Sequence, residues 1–154
     1  MKNEIFFINK ATLADMPKIL DLCLIMHKES IYCNIPVNIS KLNSFLKSHI
    51  LSQNSLFILL KKNNEIIGFF VGNIVTYFFS DSKIAMDIIL FIKPNYRNHH
   101  GAQKLLSDFI DWCHDKDVRE ISLSSTTGIE KSKVKQIYSK FGFNKIGFMY
   151  KIQL

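Results

Sequence analysis

The stretch "YRNHHGAQKLL", residues 96 to 106, places an arginine, two adjacent histidines and a Gly-Ala pair where a loop turns into a helix. Arg97 can make charge-assisted bonds to phosphate. The first N–H groups of the helix lack intrahelical partners, and the helix dipole adds partial positive charge there. Gly101 and Ala102 let an anion approach the backbone closely, so the stretch reads as an anion site. His99 and His100 point toward metal or acid–base chemistry. On a helix, however, adjacent side chains diverge by roughly 100° and do not readily share one ion. His27, His49 and His114 are scattered without a metal-ligand spacing. No metal is expected, and one of the paired histidines can still bond a phosphate.

An anion site of this kind needs a strand before it and a helix after it. The strand is "KIAMDIILFIK" (83–93), ended by Pro94, which cannot donate to a ladder. The helix follows with Ala102, Leu105, Leu106, Phe109, Ile110 and Cys113 along one apolar face. Upstream, "EIFFI" (4–8) reads as a strand. Ile19, Leu22, Cys23 and Met26 then mark a helix capped near Thr12 or Asp15, and Leu42, Phe45, Leu46 and Ile50 mark a second from about 40 to 52. "SLFILLKK" and "EIIGFFVGNIVTYFF" flank the turn "NN", an antiparallel hairpin signal. Downstream, "REISLSS" (119–125) is a strand. Val134, Ile137, Tyr138 and Phe141 stripe a last helix stopped by Gly142, and "NKIGFMYKIQL" reads as a closing strand. The order is β-α-α-β-β-β-α-β-α-β, an α/β (α+β) domain with a mixed sheet and helices on both faces.

The 154 residues fit one domain, 1–154, and 47% apolar content supplies a core. A net charge of +7 favours acidic partners without choosing among them. Six lysines from Lys131 to Lys151 are interspersed with apolar residues and read as a solvated face. Cys23, Cys33 and Cys113 form neither a CxxC pair nor an even set, which fits reduced thiols in a cytoplasm. The opening stretch "MKNEIFFINK" lacks the apolar length and small-residue cleavage site expected of a signal peptide. The apolar run 66–79 is shorter than the ~20 residues of a membrane helix. No helix-turn-helix or RNA-recognition motif supports a nucleic-acid partner.

"IKPNYRNHHGAQKLL" followed by "IYSKFGF" resembles the GNAT superfamily of acyl-CoA-dependent N-acetyltransferases. Ile92, Pro94, Tyr96, Arg97, Ala102, Leu105 and Leu106 fall in register with its strand–loop–helix motif. Tyr138, Gly142 and Phe143 match its Tyr-x-x-x-Gly-Phe. The match is closest to a small phage and bacterial subgroup, through "TTGI" and a His-x-Glu-Ser segment, here His27, Glu29 and Ser30. Three positions depart from the family: His100 stands where the first loop glycine usually is, Lys131 where an asparagine is common, and Ile89 near the usual glutamate.

The resemblance implies a mostly antiparallel sheet of six to seven strands with about four helices. It also implies acetyl transfer from acetyl-CoA to a primary amine, a small molecule or a protein. The pyrophosphate would lie on the amides of Asn98, His99, His100, Gly101 and Ala102 beside Arg97. The pantetheine arm would pair with the backbone of Phe91, Ile92 and Lys93. Tyr138, which spacing alone assigns to the core, becomes the proton donor to the leaving thiolate. A base is also needed. Asp87 is the only acid inside its apolar strand, and strand alternation groups it with Ala85, Ile89 and Phe91. Burial would raise its pKa. Glu29 would hold a cationic amine, with residues 29–39 as a lid over the acceptor. A homodimer is admitted as a further partner state; a membrane partner is not expected. The alternatives are a GNAT-like protein that binds CoA or a partner without transfer, motivated by His100 and Ile89, and a basic nucleic-acid-binding protein, motivated by charge alone.

Overall fold

The structure is a computed structural model that describes residues 6–97, 99–152 and 154, with only the backbone described at His99. Strand β1 (Phe7–Lys10) leads through a turn of 3₁₀ helix (Leu13–Asp15) into α1 (Met16–Glu29). Thr12 caps that turn: the Asp15 carboxylate accepts from the Thr12 N–H at 2.9 Å and its hydroxyl at 2.8 Å. Helix α2 (Ile39–Leu51) starts one residue before the sequence signal, because the Asn38 side chain accepts from the Lys41 N–H at 2.9 Å.

β2 (Ser55–Lys62) and β3 (Glu65–Thr76) form the expected hairpin. Asn63 and Asn64 both take positive φ, 48° and 67°, the backbone that matches strand twist in a two-residue turn. β4 (Lys83–Ile92) follows antiparallel to β3. Then come a 3₁₀ turn (Pro94–Tyr96), α3 (His99–Asp115), β5 (Glu120–Ser122) and α4 (Lys131–Lys140). The sheet order is β1-β2-β3-β4-β5, antiparallel except for the parallel β4–β5 pair.

The sheet is covered on both faces. Ile19, Leu22, Leu46, Phe57, Phe69 and Phe91 pack between it and α1 and α2. Ile58, Phe70, Ala85, Leu105, Leu106, Phe109 and Ile137 pack on the side of α3 and α4. Among the described residues no helix is long and apolar enough to cross a membrane.

Two expectations are corrected. Among the described residues the sheet has five strands rather than six or seven, because those from 144 onward join no ladder. Ile146, Phe148 and Ile152 are 90%, 75% and 81% exposed. Alternation and β-branching give that segment the capacity for a strand, but capacity becomes a strand only against a partner edge. The second correction is the facing of β4. Val71 pairs with Ile89 and Gly72 with Asp87, so Ile88 is a bulge. The bulge flips the alternation: Ala85 packs on the α3 side, while Ile89 and Phe91 pack on the α1–α2 side. Asp87, directly opposite Gly72, therefore does not share a face with Ile89.

Candidate active site

β4 and β5 run in register only from Ile84↔Glu120 to Met86↔Ser122. Beyond that point the strands part. A cavity of about 310 Å³ opens there. Its floor is β4 from Asp87 to Ile92, one wall is Ser124–Thr127, and α4 contributes Lys133, Val134, Ile137 and Tyr138. Met26 from α1, Tyr32 from the following loop, Arg97, Ala102, Ile129 and Glu130 complete it. Ligands in open α/β sheets bind at such strand ends.

Asp87 and Tyr138 meet at the head of this cleft. The Asp87 carboxylate accepts from the Ser124 N–H at 2.8 Å, and the Tyr138 hydroxyl donates to the Ser124 carbonyl at 3.0 Å. Removal from water pushes the Asp87 carboxyl up to about 6, partly offset by the Ser124 amide N–H that stabilises the anion. Burial, and then the nearby Asp87 charge, raises the Tyr138 phenol and keeps it protonated. The pair thus offers a carboxyl that changes charge near neutral pH beside a phenol that stays a proton donor.

Gly72 makes room here. A Cβ on it would come within 2.5 Å of the Phe109 ring, which is fully buried. The glycine lets α3 sit close under the strand residue that faces Asp87.

At the other end of the cleft, Arg97 is held from three sides. Its Nε donates to the Ile92 carbonyl at 2.8 Å, its guanidinium pairs with Glu29, and it lies 5.5 Å from the centre of the Phe91 ring. The structure therefore joins two residues that the sequence assigns to different ligands, Arg97 and Glu29, into one partly buried ion pair. That pair fastens the end of α1 to the end of β4. Phe91, Ile92 and Ala102 line the cavity, and the Lys93 side chain is turned away to Glu65. The Lys93 N–H donates to the Ile67 carbonyl at 2.8 Å. Gly101 and Ala102 are buried in the first turn of α3, and His100 is exposed. Asn98 and the His99 side chain lie outside the described residues.

Sequence reasoning missed Ser124, Tyr32 and Lys133. Ser124 acts through its backbone, which no residue type announces. Tyr32 and Lys133 reach the cavity through long-range placement. Two loops meet across the mouth, where the Ile31 N–H donates to the Thr127 carbonyl at 3.0 Å. Gly128, at φ +81°, allows this approach, since a Cβ there would lie 2.6 Å from Ile31.

Comparison with known proteins agrees with this fold. The model of the acetyltransferase (GNAT) family matches residues 25–143. No curated protein matches the chain. Among solved structures, the aminoglycoside antibiotic 6'-N-acetyltransferase from Acinetobacter baumannii superposes with a TM-score of 0.76 at 14% identity, over 97% of this chain and 98% of that one. An aminoglycoside acetyltransferase from an uncultured soil metagenomic sample gives 0.73 at 15% identity, over 97% and 99%. A transcriptional regulator from Bacillus halodurans gives 0.77 at 16% identity, over 97% and 100%. These likenesses establish a shared fold, and the family match covers most of the chain, including the cleft and both residues that meet on Ser124. The chain belongs to the GNAT acetyltransferase family.

Proposed function

We propose that this protein is an N-acetyltransferase that moves an acetyl group from acetyl-CoA to a primary amine by direct attack. The observation that carries the reading is the convergence of Asp87 and Tyr138 on Ser124 inside an apolar cleft. The donor's acyl-carrying arm would lie along β4 beside Phe91 and Ile92, where the strand has parted from β5. The backbone N–H groups of residues 98 to 102 would receive its phosphates, aided by the dipole of α3, a 17-residue helix that starts at His99. Arg97, held by Glu29, would add charge at the same end.

Asp87 would take the proton that the ammonium must lose before it attacks the thioester carbonyl. Tyr138 would donate to the departing thiolate; its raised pKa keeps that proton on the phenol until the thiolate forms. Loop 30–38, tied to Thr127 through Ile31, would cover the acceptor. His27, Glu29 and Ser30, with the "TTGI" loop, support placement in the phage and bacterial subgroup.

Calorimetric titration with acetyl-CoA, beside CoA and ATP, tests the reading. Micromolar acetyl-CoA affinity with much weaker ATP binding is expected for a CoA-specific cleft. Absence of binding to either CoA form in folded protein would overturn it.

A further inference from the structure

Resting on that reading, we infer that the acceptor is a small monoamine with an apolar body, and that polycationic amines are poor acceptors. The charge arrangement around the cleft carries this. Three carboxylates stand at or beside the cavity: Glu29, Asp87 and Glu130. Glu29 is held by the Arg97 guanidinium, and Glu130 by the Lys133 ammonium at 2.9 Å. Only Asp87 is without a cationic partner among the described residues; its carboxylate is held by neutral donors, chiefly the Ser124 amide at 2.8 Å. The cleft therefore has one anionic position open to one ammonium.

A polycation needs more than that. Each ammonium that leaves water must find a carboxylate or carbonyl, or its desolvation is uncompensated. Meeting that need here means breaking Glu29 from Arg97, which leaves a largely buried guanidinium unpaired, or Glu130 from the exposed Lys133 ammonium. The mouth adds repulsion, since the Lys151 ammonium lies 4.5 Å from the centre of the Tyr32 ring.

Size and lining point the same way. The cavity of about 310 Å³ is at the low end of small-molecule sites, which run roughly 300–1,000 Å³, and it must also admit the donor arm. The wall available to the acceptor includes Met26, Tyr32 and Ile129, which offer apolar and aromatic surface.

The test measures CoA release by the full chain with phenethylamine and tryptamine as apolar monoamines, and spermidine and sisomicin as polycations. Acetyl-CoA binding is measured in parallel. A kcat/KM for a monoamine at least about tenfold above that for either polycation is expected, the scale on which a pocket rejects an ill-fitting group. Equal or better turnover of a polycation overturns the inference and leaves the acetyltransferase reading standing. So does acetyl-CoA binding with no turnover of either monoamine. Failure to bind acetyl-CoA overturns both. Lys133→Met, which frees Glu130, should raise the polycation-to-monoamine ratio about threefold, in the range of a partly exposed ion pair. An unchanged ratio would sink the charge argument even if monoamines are preferred.

Discussion

Asp87 and Tyr138 meet on the two backbone polar groups of one residue: the carboxylate accepts from the Ser124 N–H at 2.8 Å, and the phenol donates to the Ser124 carbonyl at 3.0 Å. Ser124 lies two residues beyond the last β4–β5 pair, Met86↔Ser122. The place where the sheet opens is thus the place where a carboxyl of raised pKa and a protonated phenol come together.

Tyr138→Phe removes the phenolic proton and keeps the ring, which packs 5.9 Å from Phe143. Turnover should fall by about 10²-fold, the lower range for loss of a general acid. Stability should fall by only about 1 kcal/mol, for one hydrogen bond. Steady-state rates with calorimetric acetyl-CoA affinity check this. The affinity should not change, and full turnover would remove Tyr138 from the chemistry.

If Asp87 is the base proposed above, Asp87→Asn should abolish a rise of kcat/KM with pH centred near 6, where the native carboxyl ionises. The same variant should gain stability at neutral pH. In the folded protein the carboxyl's pKa lies above its ordinary 3.8, so ionisation opposes folding. That cost is absent below 3.8, grows as pH rises, and is complete above about 6. Asparagine carries no such cost and can still accept from Ser124. Denaturant melts should show it about 1–2 kcal/mol more stable at neutral pH, after allowance for partial exposure, and with no gain in acid.

Glu29 and Arg97 should behave as a unit. Either Glu29→Gln or Arg97→Met leaves one partly buried charge unpaired, at a cost of about 1–3 kcal/mol. The double variant should cost less than the sum of the two singles. A strictly additive result in urea melts would show that the pair contributes nothing. Arg97→Met should also weaken acetyl-CoA binding more than Glu29→Gln does, since only Arg97 carries positive charge to the α3 end of the cleft.

Gly72→Ala should destabilise by about 1–3 kcal/mol through overpacking, because its Cβ would press on the Phe109 ring. Phe109 also stacks with Trp112, 5.9 Å away, and packs on Phe70 at 4.6 Å, so the ring has little room to yield. A change in Trp112 fluorescence with the shift in melting midpoint would report the displacement.

Local signals determined most of the elements. The Asn63-Asn64 turn, the apolar stripes of α1 to α4, Pro94 after β4 and Gly142 past α4 each act on neighbouring backbone. Such effects are read within a few residues. The strand–turn–helix of residues 83–115 was equally legible, and with it the cleft's location. Tertiary structure alone decided the rest, because it depends on contacts distant in sequence. The Ile88 bulge turns Asp87 away from Ile89 and Phe91, and it arises from pairing with β3, which strand alternation cannot see. Arg97 and Glu29, 68 positions apart, become partners only when α1 crosses the end of β4. The last apolar segment has the composition of a strand and no partner edge among the described residues, so it remains outside the sheet. A residue type sets what a side chain can do; the long-range pairing of strands and helices sets which other group it meets.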